Sequence, residues 1–346
     1  MATDEPTDDA PDDSPLRATS EYDSTPLEVY QQGIDSWIIG PLKILWSDYR
    51  GKVGLSILLL YILMGTVGTV LWPEPSIGAP YLAGPFESLA HPLGTTSNGS
   101  DLLGLMIHST PDMFKMMIAG SIVGNMIGVT VGLVAGYSGG ILDKTLMTLT
   151  DTFGSIPGLP LLLILTALIE PQNPYLIGII LNLQGWTGLA RALRSQVLPL
   201  RNKEYVEASK TMGQPTSNVF LKGILPELLP YIFIGLMGGA TGIVQASVGL
   251  YFLGILPVNH QNWGVVLNEA RVYGGLLTTE AAHWLLVPLV TLTLLTFGLT
   301  LLAQAFDQVF NPRVRARHIG RKREGTGPED EEETTGDTMS QVGGNI

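Results

Sequence analysis

Long apolar runs with few charges constrain this chain of 346 residues more than any other feature. Residues 53–72 carry no charged side chain, and a helix of twenty residues measures about 30 Å, which matches the hydrocarbon core of a bilayer. Five further runs follow at 113–137, 145–169, 175–193, 228–254 and 285–305. The sequence therefore predicts an all-α integral membrane protein with six transmembrane helices.

The composition favours the same class and excludes several chemistries. Hydrophobic residues make up 45% and charged residues 14%, whereas soluble proteins carry about 25% charged residues. The chain has no cysteine, so disulfides and thiolate sites are excluded. The five histidines show no metal-ligand spacing, and the sequence has no P-loop and no GxSxG elbow. We therefore expect no catalytic residue, no metal site and no cofactor bound directly.

The basic residues predict the orientation. With the N-terminus inside, 17 of the 19 Lys and Arg residues fall in cytoplasmic segments, while Arg271 lies outside and Lys115 lies within a helix. Both termini are thus predicted to be cytoplasmic in a multi-pass protein of the cell membrane. The first thirty residues lack an apolar h-region, so no cleaved signal peptide is expected.

Four regions follow from these patterns. Residues 1–40 are predicted to form a disordered acidic tail, and 41–112 the first helix with an outer segment. Residues 113–312 form a core of five helices that contains a cytoplasmic segment at 194–227. Residues 313–346 form a second tail, first basic and then acidic.

The second run contains five glycines at a spacing of four residues, which together form one groove along the helix. Such a groove indicates close packing of another helix, or else a smooth wall along a translocation path, and packing is the preferred interpretation. The two terminal glycines lie near the helix ends and are expected to tolerate alanine better. The five are Gly120, Gly124, Gly128, Gly132 and Gly136.

Asp151 is a carboxylate within the third run. A carboxylate inside a membrane is a candidate functional group by default. Because Asp151 lies close to the predicted cytoplasmic surface, a structural ion pair with Arg191 or Arg194 is preferred over a proton relay.

The cytoplasmic segment carries the most informative pattern. Helix-forming residues extend to Met212, and Gly213 then tolerates the positive φ that ends a helix. Pro215 suits the first turn of a second short helix, and Pro226 is expected to end it. Two short helices joined at a glycine suggest a projection for a cytoplasmic partner, although a plain connecting loop is the simpler alternative.

The same residues resemble a known motif. Glu207-Ala208-Ser209, then three residues, Gly213, eleven residues and Leu225-Pro226 is similar to the E-A-A loop of ABC importer permeases, with Ser209 where a second alanine is usual. The resemblance implies that a coupling helix, including Tyr205, contacts an ATPase subunit.

Other segments resemble the peptide-transport branch of these permeases. His91 to Thr95 with Asp101, and Ala135 to Gly140, are similar to the dipeptide/oligopeptide (peptide/nickel) permeases of the "C" type, although Ser100 stands where arginine is usual. This resemblance implies the type I importer permease (MetI-like) fold and a heterodimer with a second permease. It also implies two cytoplasmic ATPases that bind ATP and Mg, and an extracellular substrate-binding protein.

Alternatives remain open from the sequence. A permease for nickel or another small solute would belong to the same family. An ion-driven secondary transporter would need more intramembrane charge than Asp151 supplies. A membrane enzyme would need a nucleophile pair or a metal set, which is not evident. No nucleic-acid partner is indicated.

Overall fold

The computed structural model describes residues 45–46, 48–215, 218–256, 261–273 and 279–310, without the side chains of 209–210, 220–222 and 308–310. The predicted tails at 1–40 and 313–346 lie outside the described residues. Within these ranges the regular secondary structure is helical, apart from two isolated β-bridges in residues 88–101. The helices are α1 Tyr49–Leu71, α2 Leu102–Ser138, α3 Gly140–Ser155, α4 Gly158–Ile169, α5 Pro174–Leu181, α6 Trp186–Leu200, α7 Glu204–Thr211, α8 Leu225–Phe252, α9 Trp263–Val272 and α10 Ala282–Phe310.

Four of these helices, namely α1, α2, α8 and α10, are long and apolar enough to cross a membrane. The bent pairs α3–α4 and α5–α6 also meet that test when each is taken together, which gives up to six spans. The predicted all-α membrane fold is therefore confirmed, and the count of six holds if each bent pair is one span.

The third predicted span is not one continuous helix. α3 and α4 meet at an angle of 81°, with Ile156 in an extended conformation between them. Pro157 follows directly, and a residue that precedes proline is pushed out of the helical region by the proline ring. The chain therefore bends where the prediction had placed a single helix over 145–169.

The fourth predicted span is also broken. α5 and α6 differ in direction by 55°, and α6 continues to Leu200. Gln184, which lies in this break, donates from its amide nitrogen to the carbonyls of Phe153 at 3.0 Å and Ile156 at 2.7 Å. The break between α5 and α6 thus supplies the hydrogen bonds that the break between α3 and α4 leaves open.

α2 begins at Leu102, so the predicted start at residue 113 and the boundary at 112 fall inside this helix. The Asp101 carboxylate accepts the Gly104 N–H at 2.8 Å, which is a regular N-cap. Asp112 and Lys115 both lie inside this helix, where their side chains pair with each other at 2.7 Å. An ion pair of this kind lies on the helix surface and does not interrupt the helix.

The outer segment between α1 and α2 is tied to three helix ends. Asp101 also accepts from the Trp72 indole N–H at 2.8 Å and lies 3.3 Å from His91 Nδ1. Buried Thr95 donates to the Pro80 carbonyl at 2.6 Å, while its own carbonyl lies 3.0 Å from His283 Nε2. The end of α1 and the starts of α2 and α10 are therefore held together by polar contacts.

The main core lies between α1, α2, α8, α9 and α10. Trp263 and Trp284 are almost fully buried there, and the Tyr61 and Trp263 rings lie 5.7 Å apart. Tyr61 donates its hydroxyl to the Thr291 carbonyl at 2.6 Å, which joins α1 to α10. A second cluster joins α6, α7 and the start of α8, which all belong to or border residues 194–227.

Candidate functional site

The predicted coupling segment contains the short helix α7, Glu204–Thr211, and Gly213 follows its end. The Met212 N–H donates to the Ala208 carbonyl at 2.9 Å, and Gly213 then adopts a φ of +73°. This left-handed conformation suits glycine, because a side chain there would crowd the backbone. The predicted helix stop at Gly213 is therefore observed.

Val206 anchors α7 to the membrane helices. Its side chain is fully buried in a cluster with Val197 and Leu200 of α6, Ile224, and Leu228 of α8. Burial of a valine side chain contributes about 1.5–3 kcal/mol. α7 is thus packed onto both α6 and α8 through one of its faces.

Glu227 at the start of α8 forms a second anchor. Its carboxylate accepts from Lys203 Nζ at 2.7 Å and from the Tyr205 hydroxyl at 3.0 Å. Burial, with the hydrogen bond to Glu227, raises the pKa of Tyr205 to about 12, so the hydroxyl remains protonated and donates at physiological pH. These side chains are partly exposed, so each contact is weaker than a buried one.

The residues of the E-A-A motif occupy different environments. Glu207 and Ala208 are exposed on the outer face of α7, whereas Tyr205 turns back toward Glu227. The side chain of Ser209 lies outside the described residues. Met212 is 79% exposed beside Gly213, so the tip of the segment presents an apolar side chain.

The second short helix was wrongly expected to end at Pro226. A π-helical turn at Val219–Ile224 continues directly into α8, where Leu225 and Pro226 form the first turn. Proline is tolerated in a first turn because its missing N–H has no helical acceptor there. From Asn218 onward the chain is therefore helical without a break into the spanning helix α8.

The five glycines of α2 form a seam with α5 and α6. Gly120 faces the backbone of Gly178, and an added Cβ at Gly132 would lie 2.6 Å from the Ala190 carbonyl oxygen. Asn182 donates its amide to the Gly120 carbonyl at 2.7 Å. The other three glycines face residues that follow in order along α6 and the break before it. Gly124 faces Asn182, Gly128 faces Trp186 and Leu189, and Gly136 faces Val197.

The geometry of this seam supports the packing interpretation. It contradicts the expectation that the terminal glycines tolerate alanine. A Cβ at Gly120 would overlap the Gly178 backbone, and one at Gly136 would lie 2.7 Å from Val197 Cβ. The spacing of the glycines on α2 was readable from the sequence, but the residues that face them were not.

Two ion pairs connect α3 to α6. Arg191 Nη1 lies 3.0 Å from Asp151 Oδ1, whereas Arg194 pairs with Asp143 instead of Asp151. The Arg194–Asp143 pair is bidentate, with Nε–Oδ1 at 2.5 Å and Nη2–Oδ2 at 2.6 Å. Asp143 was not among the predicted partners of Arg194.

Lys203, Val206 and Glu227 were also not predicted as site residues. Lys203 and Glu227 carry opposite charges, but they are separated by 24 residues and no short-range spacing relates them. Val206 is a single apolar residue in a polar helix, which was a usable signal. Among the described residues, no group of three His, Asp or Glu side chains is placed to hold a metal ion.

Comparisons with known proteins are consistent with a transport role. Residues 128–316 match the family described as binding-protein-dependent transport system inner membrane component. The dipeptide transport system permease protein DppC of Bacillus subtilis is 29% identical over 285 residues, which covers 81% of this chain and 86% of that protein. The oligopeptide transport system permease protein OppC of Haemophilus influenzae is 29% identical over 286 residues, which covers 79% of this chain and 90% of that protein.

Among solved structures, one described as inward facing conformations of the MetNI methionine ABC transporter is 20% identical, with a TM-score of 0.45. It covers 58% of this chain and 96% of its own. The family match spans more than half of the sequence and includes α7 with both of its anchors. The chain belongs to the family of inner membrane components of binding-protein-dependent transport systems.

Proposed function

We propose that this chain is a permease subunit of an ATP-driven ABC importer of dipeptides or oligopeptides. It forms a heterodimer with a second permease and receives cargo from an extracellular substrate-binding protein. Two cytoplasmic ATPases carry the ATP and Mg and hydrolyse the nucleotide, while this chain forms half of the passage. The names of the relatives support the cargo class, since they are dipeptide and oligopeptide permeases.

The observation that carries this proposal is the anchored helix α7. Its exposed face and tip, formed by Glu207, Ala208 and Met212, are free of contacts that would hide them from a partner. Its opposite face is fixed through Val206 and through Glu227. A helix held in this way moves as one body with the spans, which a plain connecting loop does not.

A force on α7 has two routes into the membrane helices. Glu227 joins α7 to the start of α8, so displacement of α7 tilts that span. Val206 packs on Val197 and Leu200, so the same displacement presses on α6. α6 is in turn packed against α2 along the glycine seam, which spreads the motion through the bundle.

The proposed orientation places both termini and α7 in the cytoplasm, as the distribution of Lys and Arg predicts. Single cysteines at Ser14, Ser97 and Ser340 test it, because the chain has none of its own. Only the cysteine at position 97 should react with an impermeant thiol reagent in intact cells. Labelling at 14 or 340 in those cells contradicts the orientation.

The decisive experiment separates coupling from folding. Glu207→Lys and Gly213→Val should insert at normal levels but lose the co-purifying ATPase, or keep it without peptide uptake. Gly140→Val is a matched control, because Gly140 also has a positive φ, +62°, and open space around its Cβ position. The strain of a β-branched residue is about 1–3 kcal/mol at either site.

If both α7 variants import a labelled dipeptide at the control rate, α7 is only a connector and the proposal fails. Cargo is tested with the unaltered transporter by competing the labelled dipeptide with unlabelled peptides and with Ni²⁺. Competition by peptides alone supports the proposed cargo class. Competition by Ni²⁺ alone assigns the chain to a metal importer instead.

A further inference from the structure

We propose that a polar wall, defined by Asp151 of α3, Arg191 of α6 and Gln245 of α8, lines a water-filled passage for peptides. Gly188 and Gly242 are also exposed, each three residues before Arg191 and Gln245 on the same helix. This inference rests on the proposed function, since it names the part of the chain that the cargo crosses. The Asp151–Arg191 ion pair keeps the passage electrically neutral.

The exposed faces of α1 and α10 differ from those of α6 and α8. On α1 and α10 the exposed residues are large and apolar, as at Leu60, Val290 and Phe297, which suits contact with lipid. On α6 and the break before it no large apolar residue is exposed, and on α8 only Tyr231 is both large and exposed. The other exposed residues of α6 and of the break before it are Gly185, Gly188, Arg191, Ala192, Ser195 and Pro199. The other exposed residues of α8 are Glu227, Gly238, Gly242, Gln245 and Gly249.

The wall lies at membrane depth. Leu189 packs on Gly235, which is ten residues and about 15 Å from the start of α8, so Arg191 lies about 12 Å from that end. α8 has 28 residues and a length of about 42 Å, roughly 12 Å more than the hydrocarbon core. If α8 is centred in the bilayer, Arg191 is about 6 Å inside the core and Gln245 about 6 Å inside the opposite boundary.

Contact of this wall with lipid is energetically unfavourable. Asp151 and Arg191 remain 64% and 49% exposed although they pair at 3.0 Å. A charged side chain in the middle of a bilayer costs about 2.5–3.5 kcal/mol. Gln245 makes no side-chain hydrogen bond to any described residue, so an apolar surrounding would leave its amide unsatisfied.

The serine and threonine side chains on these faces do not distinguish contact with water from contact with lipid. Thr152 donates to the Thr148 carbonyl at 2.8 Å, and Ser195 donates to the Ala192 carbonyl at 2.7 Å. Hydroxyl groups that bond to their own helix are tolerated in lipid. The inference therefore depends on the ion pair and on Gln245.

Water accessibility tests the wall directly, since the chain contains no cysteine. Gln245→Cys should react with a water-soluble methanethiosulfonate at least about tenfold faster than Leu60→Cys or Val290→Cys, because only a hydrated thiol ionises readily. The assembled transporter in membranes is used, and modification of this chain is read by mass. Equal, slow rates at all three positions overturn the proposal, and so does a Gln245→Cys variant whose thiol only cross-links to the second permease.

The neutral ion pair makes a second, separate prediction. Asp151→Asn leaves a positive charge in the passage, so uptake of lysine-containing tripeptides should fall about fivefold relative to glutamate-containing ones. Arg191→Gln should shift the same ratio in the opposite direction, and the double variant should restore it. An unchanged ratio in both single variants overturns the proposal.

These outcomes are distinct from a failure of the proposed function. If the unaltered transporter imports no peptide at all, the importer proposal fails. If it imports neutral peptides normally while the two single variants show no charge preference, only the polar wall is refuted.

Discussion

Alanine at Gly120, in the middle of α2, should destabilise the protein strongly. The added methyl group would overlap the carbonyl of Gly178, and neither backbone can rotate away as a side chain could. Overpacking of this kind costs about 1–3 kcal/mol. Separation of the helices also removes the hydrogen bond from Asn182 to the Gly120 carbonyl, for about 1 kcal/mol more. We therefore expect a loss of about 2–4 kcal/mol.

The measurement is thermal unfolding of the purified protein in detergent, with Gly249→Ala as the control. Gly249 also lies inside a spanning helix, but its Cβ position has open space, so alanine there should be neutral or slightly stabilising. A loss of about 2–4 kcal/mol corresponds to a fall in Tm of about 4–16 °C for a large domain. If the two alanine variants unfold at the same temperature, α2 and α5 are not in backbone contact and the seam is refuted.

Three further predictions concern charged side chains. Asp143→Asn should lower the free energy of unfolding by about 1–3 kcal/mol, because it breaks a bidentate, largely buried pair, whereas Asp151→Asn should have little effect on unfolding. Glu227→Gln should preserve folding but weaken ATPase co-purification, since it loosens α7 from α8. Burial raises the pKa of Glu269 above 4.5, so its contribution to stability is present below the unfolded pKa and is lost as pH rises through the folded pKa. Glu269→Gln should therefore raise the Tm at pH 7 but not at pH 4, and a Tm gain of equal size at both values contradicts this cause.

The sequence predicted those features that depend on local physics. Hydrophobic runs reveal spanning segments because each span must by itself be long and apolar enough to cross the bilayer. Gly213 reveals a helix end because few other residues adopt its positive φ. The break after Asn182 was missed although Asn182, Gln184 and Gly185 interrupt an apolar run. No residue in that break is incompatible with a helix, whereas Pro157 interrupts the helix of the preceding span.

Features that depend on which helices meet could not be predicted. Asp143, and not Asp151, pairs with Arg194 because α3 crosses α6 at an angle that only the packed structure fixes. The glycine spacing showed that α2 has a groove, but the close contact arises because Gly178 also lacks a side chain. Such pairings are properties of two segments together, and one sequence without its fold defines no register between them.

The amide of Gln184 makes the two broken spans mechanically dependent. It holds the carbonyls of Phe153 and Ile156 at the bend of 81°, while it belongs itself to the bend of 55°. Straightening either span alone would break these two hydrogen bonds, at about 0.5–1.5 kcal/mol for each bond. A change at one bend is therefore opposed by its bonds to the other, which couples the α3–α4 pair to the α5–α6 pair.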